Sequence, residues 1–422
     1  MFPFLDIARA ILALVPDMLF NPFSPRFFLF WLFVLVVSSQ YRRIAASERK
    51  LFGQVKNRPF PQTAQAVVQG LVAGLAGSFL LVFVGVAFTP GTQLGYLILV
   101  AMALMLVSPR LICLAYAGGL ASLSNLAFGF PVVDVAALMA MVAILHLMES
   151  LLIVLTGFRT ATPVFIRTQR REVVGGFSLQ RFWPIPLVVL LLGAVPREIV
   201  EQGIRMPEWW PLIPVAPALL EDPAMMFQML PVIAVMGYGD LAVSSSPARR
   251  SRETGRYLAL YSLALLGLAL LGGREPLFLW LAALASIVGH ELVVRRGGRA
   301  ELGRPAWLKS APGQVTILDV MPGSPAGRAG LGTGDIVRTV NGLPVGSRLE
   351  FTSALEQAGA VLELGVDRPG GRVTVIIAER LRPGGLLGIL LAPEPGDLPQ
   401  MDVGRASPLV ALLQRLRRRW MA

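Results

Sequence analysis

A polytopic α-helical membrane domain of about eight or nine transmembrane helices, followed by a small α+β domain, is the fold class this sequence predicts. Three observations carry it. The 422 residues are 55% hydrophobic and only 15% charged, with a mean hydropathy of +0.64, whereas soluble domains are typically about a quarter charged. Apolar runs follow one another through the first 300 residues, with arginine clusters between them. Beyond residue 310 the pattern changes to short β-branched runs punctuated by Gly and Pro.

The net charge of +12 comes almost wholly from arginine; lysine occurs only at positions 50, 56 and 309. Because these charges sit in short clusters beside apolar runs, they report membrane topology and exclude nucleic-acid binding. The lone Cys113 excludes an internal disulfide. Residues 1–20 carry Asp6, Arg9 and Asp17 and do not read as a cleavable signal.

Candidate spans fall near 23–41, 65–88, 92–108, 110–130, 133–157, 183–197, 211–238, 257–272 and 276–294. The basic clusters sort them: Arg42 to Arg58, Arg159 to Arg181, Arg249 to Arg256, and Arg295 to Arg299. Each is separated from the next by an even number of crossings. All are therefore expected on the cytoplasmic side of the plasma membrane, together with the C-terminal domain. Segment 4–20, with its three charges, is expected to lie at the interface rather than to cross.

The domain map is a transmembrane domain over 1–300, a linker over 301–309, the small domain over 310–393 and a basic amphipathic tail over 394–422. Strands are expected at Val315–Val320, Ile336–Val340, Val361–Val366 and Val373–Ala378. Pro322-Gly323 makes a turn, and Ser324 caps a one-turn helix starting at Pro325. Gly330 suits a left-handed helix end. Gly334-Asp335 and Asn341-Gly342 fit tight turns, and 349–358 reads as an amphipathic helix. In the tail, Leu409, Leu412, Leu413, Leu416 and Trp420 form one stripe with arginines between. That pattern suits a membrane-surface helix, a solvated basic tail or a helix packed on the small domain.

GSPA at 323–326, AGL at 329–331, GD at 334–335 and VNG at 340–342 resemble the bacterial PDZ domain in order and spacing. The resemblance implies a peptide taken as an added strand beside a helix. It places the carboxylate loop and its strand at Leu386, Leu387, Gly388, Ile389 and Leu390, with Phe351 and Leu355 on the opposite wall. The other reading makes Leu387 and Ile389 simply the core of a last strand.

Three other signals suggest chemistry. Gly237-Tyr238-Gly239-Asp240 resembles both a potassium-channel filter and the Gly-x-Gly-Asp element of intramembrane aspartyl proteases. The filter wants Thr-Val where Val235-Met236 stand, and the protease wants a second aspartate at equal depth, whereas Asp134 is expected at the far end of its helix. A helix end and turn at the cytoplasmic interface is the expectation there. His146 and Glu149 share a helix face near mid-membrane and are candidates for interhelical polar packing, for ion or proton passage, or for the start of a metal site. His290-Glu291 lacks the second histidine of a zinc-protease motif, and two histidines cannot supply three histidine ligands. No cofactor, no metal and no catalytic residue is expected.

Phe27–Ser39, followed by Tyr41-Arg42-Arg43-Ile44 and Glu48-Arg49-Lys50, together with the terminal PDZ motifs, resembles the MinJ-type cell-division topological determinants of Gram-positive bacteria. That resemblance implies a non-enzymatic scaffold at pole or septum that bridges a DivIVA-like protein and a MinD-like inhibitor. The competing readings are an intramembrane protease that uses the PDZ domain for substrate recognition, and a transporter or channel with a regulatory PDZ domain.

Overall fold

A computed structural model describes residues 3–168, 172–201, 203–359, 361–368, 371–377 and 387–402. Helix α1 (Pro3–Phe20) leads into α2 (Pro25–Phe52) and α3 (Pro59–Val84), then the two-residue strand β1 (Ala87–Phe88). Helices α4 (Gly95–Val107) and α5 (Leu114–Phe128) are joined by a 3-10 turn over Pro109–Ile112, and α6 (Val135–Thr156) follows. Next come β2 (Thr162–Arg167), β3 (Val173–Ala194), the short helices α7 (Arg197–Glu201) and α8 (Pro217–Leu220), and β4 (Met225–Ala242). Helices α9 (Pro247–Gly272) and α10 (Pro276–Gly303) close the apolar part of the chain.

Five of these helices, α2, α3, α6, α9 and α10, are long and apolar enough to cross a membrane, and α4 and α5 are shorter apolar helices. The eight or nine helical crossings expected from the sequence are therefore not what the described residues form. Most of run 183–197 lies in β3 and half of run 211–238 in β4, and these strands pair antiparallel without interruption from Phe177 with Ala242 to Ala194 with Met225. At 13 residues, α4 rises only about 20 Å, short of the roughly 30 Å hydrocarbon core. With α5, joined through the 3-10 turn, it makes a helical hairpin.

The β3–β4 hairpin is held along α3. From Gln62 to Val82 the helix rises about 30 Å, and β3 from Arg181 to Leu190 covers about the same length. At one end Arg181 donates to Gln62 at 2.9 Å and to Gln69 at 2.6 Å; at the other, Leu190 and Val188 pack with Val82. The exposed edge of such a strand needs its backbone groups satisfied where no water reaches. Tyr41 Oη engages both the Phe182 N–H and its carbonyl. Alternation then turns residues 184, 186 and 188 toward the same edge. Two of those are Pro184 and Pro186, which have no N–H to leave unpaired. The third, Val188, donates its N–H to Ser78 Oγ at 2.8 Å.

Helix α3 offers glycine at the matching heights. A Cβ on Gly70 would stand 2.0 Å from the Pro184 carbonyl oxygen, and one on Gly74 would stand 2.1 Å from that of Pro186. The backbones meet this closely because the helix face has no side chain there.

The molecule has two ends. At one, Trp210 donates to the Val82 carbonyl, Leu212 to that of Val84, and Phe4 of α1 stacks among Phe79, Phe83 and Trp209. At the other, Glu48 (buried at the end of α2) accepts from Asn57 and Thr162. There Arg250 reaches Asp240 and the Gly297 carbonyl, and Glu301 accepts the N–H groups of Val243, Ser244 and Ser245. Described members of all four basic clusters stand at this second end: Lys56 beside Asp319, Arg181 beside Gln62, Arg250 beside Asp240 and Arg296 over the Tyr257 ring. Their parity survives the loss of four helical spans because each of two hairpins, α4–α5 and β3–β4, enters and leaves at one end and so replaces two crossings.

The α+β domain comprises β5 (Val315–Val320), α11 (Pro325–Arg328), β6 (Ile336–Val340), β7 (Leu343–Pro344), α12 (Arg348–Glu356), β8 (Leu362–Arg368), β9 (Gly371–Ile377) and β10 (Ile389–Leu391). Its sheet runs β10-β5-β6-β8-β9, with β7 on β6. Ser324 Oγ caps α11 by accepting the Gly327 N–H. Asn341 (φ 48°) and Gly342 (φ 80°) make the β6–β7 turn with both residues left-handed.

The expected linker is not loose. Residues 301–303 still belong to α10, the Trp307 N–H donates to the Val243 carbonyl, and Leu308 bridges to Gly175. Strand β5 is buried on both faces: Val315 and Ile317 enter the domain's own core, while Leu318, with Leu308 and Ala392, enters the core of the membrane domain. Lys56 pairs with Asp319 at 2.5 Å. Strand β11 (Met401–Asp402) then adds to β2 in parallel. The stripe expected at Leu409 to Trp420 lies outside the described residues.

Candidate functional site

In the sheet order, β10 is an edge strand beside β5, which is the geometry an extended peptide needs in order to add a strand. The loop before it is tied down from behind: the Met321 N–H donates to the Gly388 carbonyl at 2.7 Å and the Ala326 N–H to that of Leu387 at 3.2 Å. Gly388 has φ +81°, and a Cβ there would stand 2.3 Å from that of Ser324. It is thus required by packing and by backbone conformation together.

The residues singled out in the sequence divide. Leu387 and Phe351 are buried in the domain core, as the competing reading held for Leu387. Ile389 and Leu355 are half-buried against that core. Leu390 turns the other way and packs on the membrane-domain core. Leu386 lies outside the described residues. The N-terminus of α12 is fixed to the segment after β10: Arg348 pairs with Asp397 at 2.6 Å, and its N–H donates to Glu394. Beside this wall, Asp335 is gripped by Arg368. Asp367 is held down to about 2 by hydrogen bonds from Arg372 first and then Arg338.

The membrane-side candidates have structural partners. Gly237 to Asp240 lie inside β4, not at a helix end and turn as expected, because the whole run pairs with β3. Asp240 is bound by Arg250, Thr254 and Tyr238, while Asp134 caps α6 by accepting the Ala137 N–H. Each aspartate is hydrogen-bonded to its own separate partners where it stands. His146 is buried on α6, and Glu149 lies half-buried one turn further along. Sequence reasoning missed what faces His146: Cys113 at the head of α5 and His290 of α10. Their separation in the chain hid this. The available signal was that all three stand in apolar stretches of a chain with only one cysteine and two histidines.

A helical membrane protein that carries a docked, peptide-binding type of β domain at its basic end is the class these features define. Residues 316–368 match the PDZ-domain family. Over 82% of its length the chain is 23% identical to the cell division topological determinant MinJ of Bacillus subtilis, covering 87% of that protein. The chain is MinJ-like, with a bacterial PDZ domain. The segment that carried the resemblance has a visible task here: Tyr41 and Glu48 are the α2 side chains that hold β3 and β2.

Proposed function

We propose that this protein is a membrane scaffold for cell division, without enzymatic activity, whose PDZ domain recruits cytoplasmic proteins or peptides at the division septum or cell pole. The observation that carries the reading is β10, an edge strand among the described residues, held by β5, Lys56 and the 305–309 segment at the end where described members of the arginine clusters stand. Arginine-rich ends face the cytoplasm, so the groove is presented at the inner leaflet in a fixed orientation. The partners implied by the MinJ-like sequence are a DivIVA-like protein and a MinD-like inhibitor. The engaged state of Asp134 and Asp240 speaks against the intramembrane-protease alternative.

In-cell photocrosslinking tests this. A photoreactive residue at Ile389 or Leu355 is expected to capture a division protein; one at Ile376, 62% exposed on β9 at the opposite sheet edge, is not. Equal capture at Ile376, or none in the groove, would remove the groove from the mechanism. A fluorescent fusion spread evenly over the membrane would remove the division role.

A further inference from the structure

The chain's one cysteine and both histidines meet at a single point inside the helical bundle. Cys113 comes from the inner tip of the α4–α5 hairpin, His146 from the middle of α6 and His290 from α10. One donor atom from each lies within 4.8 Å of the others. Sγ of Cys113 stands 3.1 Å from Nε2 of His146 and 3.6 Å from Nε2 of His290. A tetrahedral zinc ion, with bonds near 2.3 Å to sulfur and 2.05 Å to nitrogen, separates such atoms by about 3.5 Å.

Protonation makes the same case. The Val142 carbonyl lies 2.7 Å from His146 Nδ1 and can only accept, so Nδ1 carries the proton. In the neutral ring Nε2 then presents a bare lone pair to the sulfur, the second-shell arrangement of a metal-ligating histidine. One thiol proton satisfies one such lone pair. The Nε2 atoms of two imidazoles converge on this sulfur. A cation satisfies all three donors at once.

The surroundings fit. Cys113 is the N-cap of α5, so its side chain stands at the positive end of the helix dipole. Tyr261 lies edge-on to both imidazoles and Tyr116 to that of His290. Tyr116 Oη and Arg110 hold Glu291 just beyond.

We propose that Cys113, His146 and His290 bind a borderline-soft divalent cation, zinc by ligand type and geometry, and so pin the α4–α5 hairpin to α6 and α10. Three protein ligands leave a fourth position for water. The site stands independently of the scaffold reading.

The full chain in detergent provides the test. Metal analysis after dialysis against zinc is expected to give one zinc per chain, lost in Cys113→Ser and His290→Gln. Cobalt in its place should show a thiolate charge-transfer band that Cys113→Ser abolishes. Because Cys113 is the sole thiol, zinc should also slow maleimide labelling of the wild type at least about tenfold, reversed by chelation. This readout needs no variant to fold. Zinc content equal in wild type and variants, or labelling indifferent to zinc, overturns the proposal; recovery of copper instead overturns the assignment of the ion.

Discussion

Adding one methyl group to α3 should be among the more damaging small changes in this protein. In Gly70→Ala the new Cβ would lie 2.0 Å from the Pro184 carbonyl oxygen. Real Cβ contacts are not found below 3.0 Å, so helix and strand must part by at least 1 Å. Both sides are backbone, so no rotamer change relieves the clash. Overpacking of this kind costs roughly 1–3 kcal/mol. Parting the elements also strains the buried Val188–Ser78 bond, and a buried group left unpaired costs roughly another 1–3 kcal/mol. Replacing a helical glycine returns about 1 kcal/mol, which leaves a net loss of about 1–5 kcal/mol. Thermal unfolding in detergent, followed by size-exclusion chromatography, measures it. The control is Gly267→Ala on α9, where the added Cβ meets nothing within 4 Å. If Gly70→Ala is as stable as Gly267→Ala, β3 does not lie on α3 and the hairpin placement is wrong.

Two further expectations concern the PDZ domain. Replacing Lys56 by Met leaves Asp319, 7% exposed, without its cation; breaking a buried pair costs about 3–5 kcal/mol. The domain should loosen from the connection between α2 and α3, and limited proteolysis should then cut within 305–312, which in the wild type should resist. Asp367 has a folded pKa of about 2, below the ordinary carboxylate value, so its contribution to stability is complete above pH 4 and is lost as pH falls toward 2. NMR titration of that carboxyl should give the low value and should move upward in Arg372→Gln; an unchanged value would show that the arginine contact is not formed in solution.

The sequence by itself determined the elements whose cause is local. Ser324 before Pro325, Gly330 at a helix end and Asn341-Gly342 between strands each satisfy a nearby backbone requirement, and the domain they punctuate was legible from them. The arginine clusters likewise marked one end of the molecule, since charge avoids the hydrocarbon core whatever the path between clusters. Tertiary structure decided the rest. Strand β3 is buried along nearly all its length on both faces, so it shows no alternation, and a run such as Leu187 to Leu192 cannot be told from a helical span by apolarity alone. The clue lay in Pro184 and Pro186, two residues apart on a strand edge that must not present N–H groups; it gains meaning only once α3 is known to lie there. Cys113, His146 and His290 are far apart in the chain, and only the packing of α5, α6 and α10 makes them neighbours.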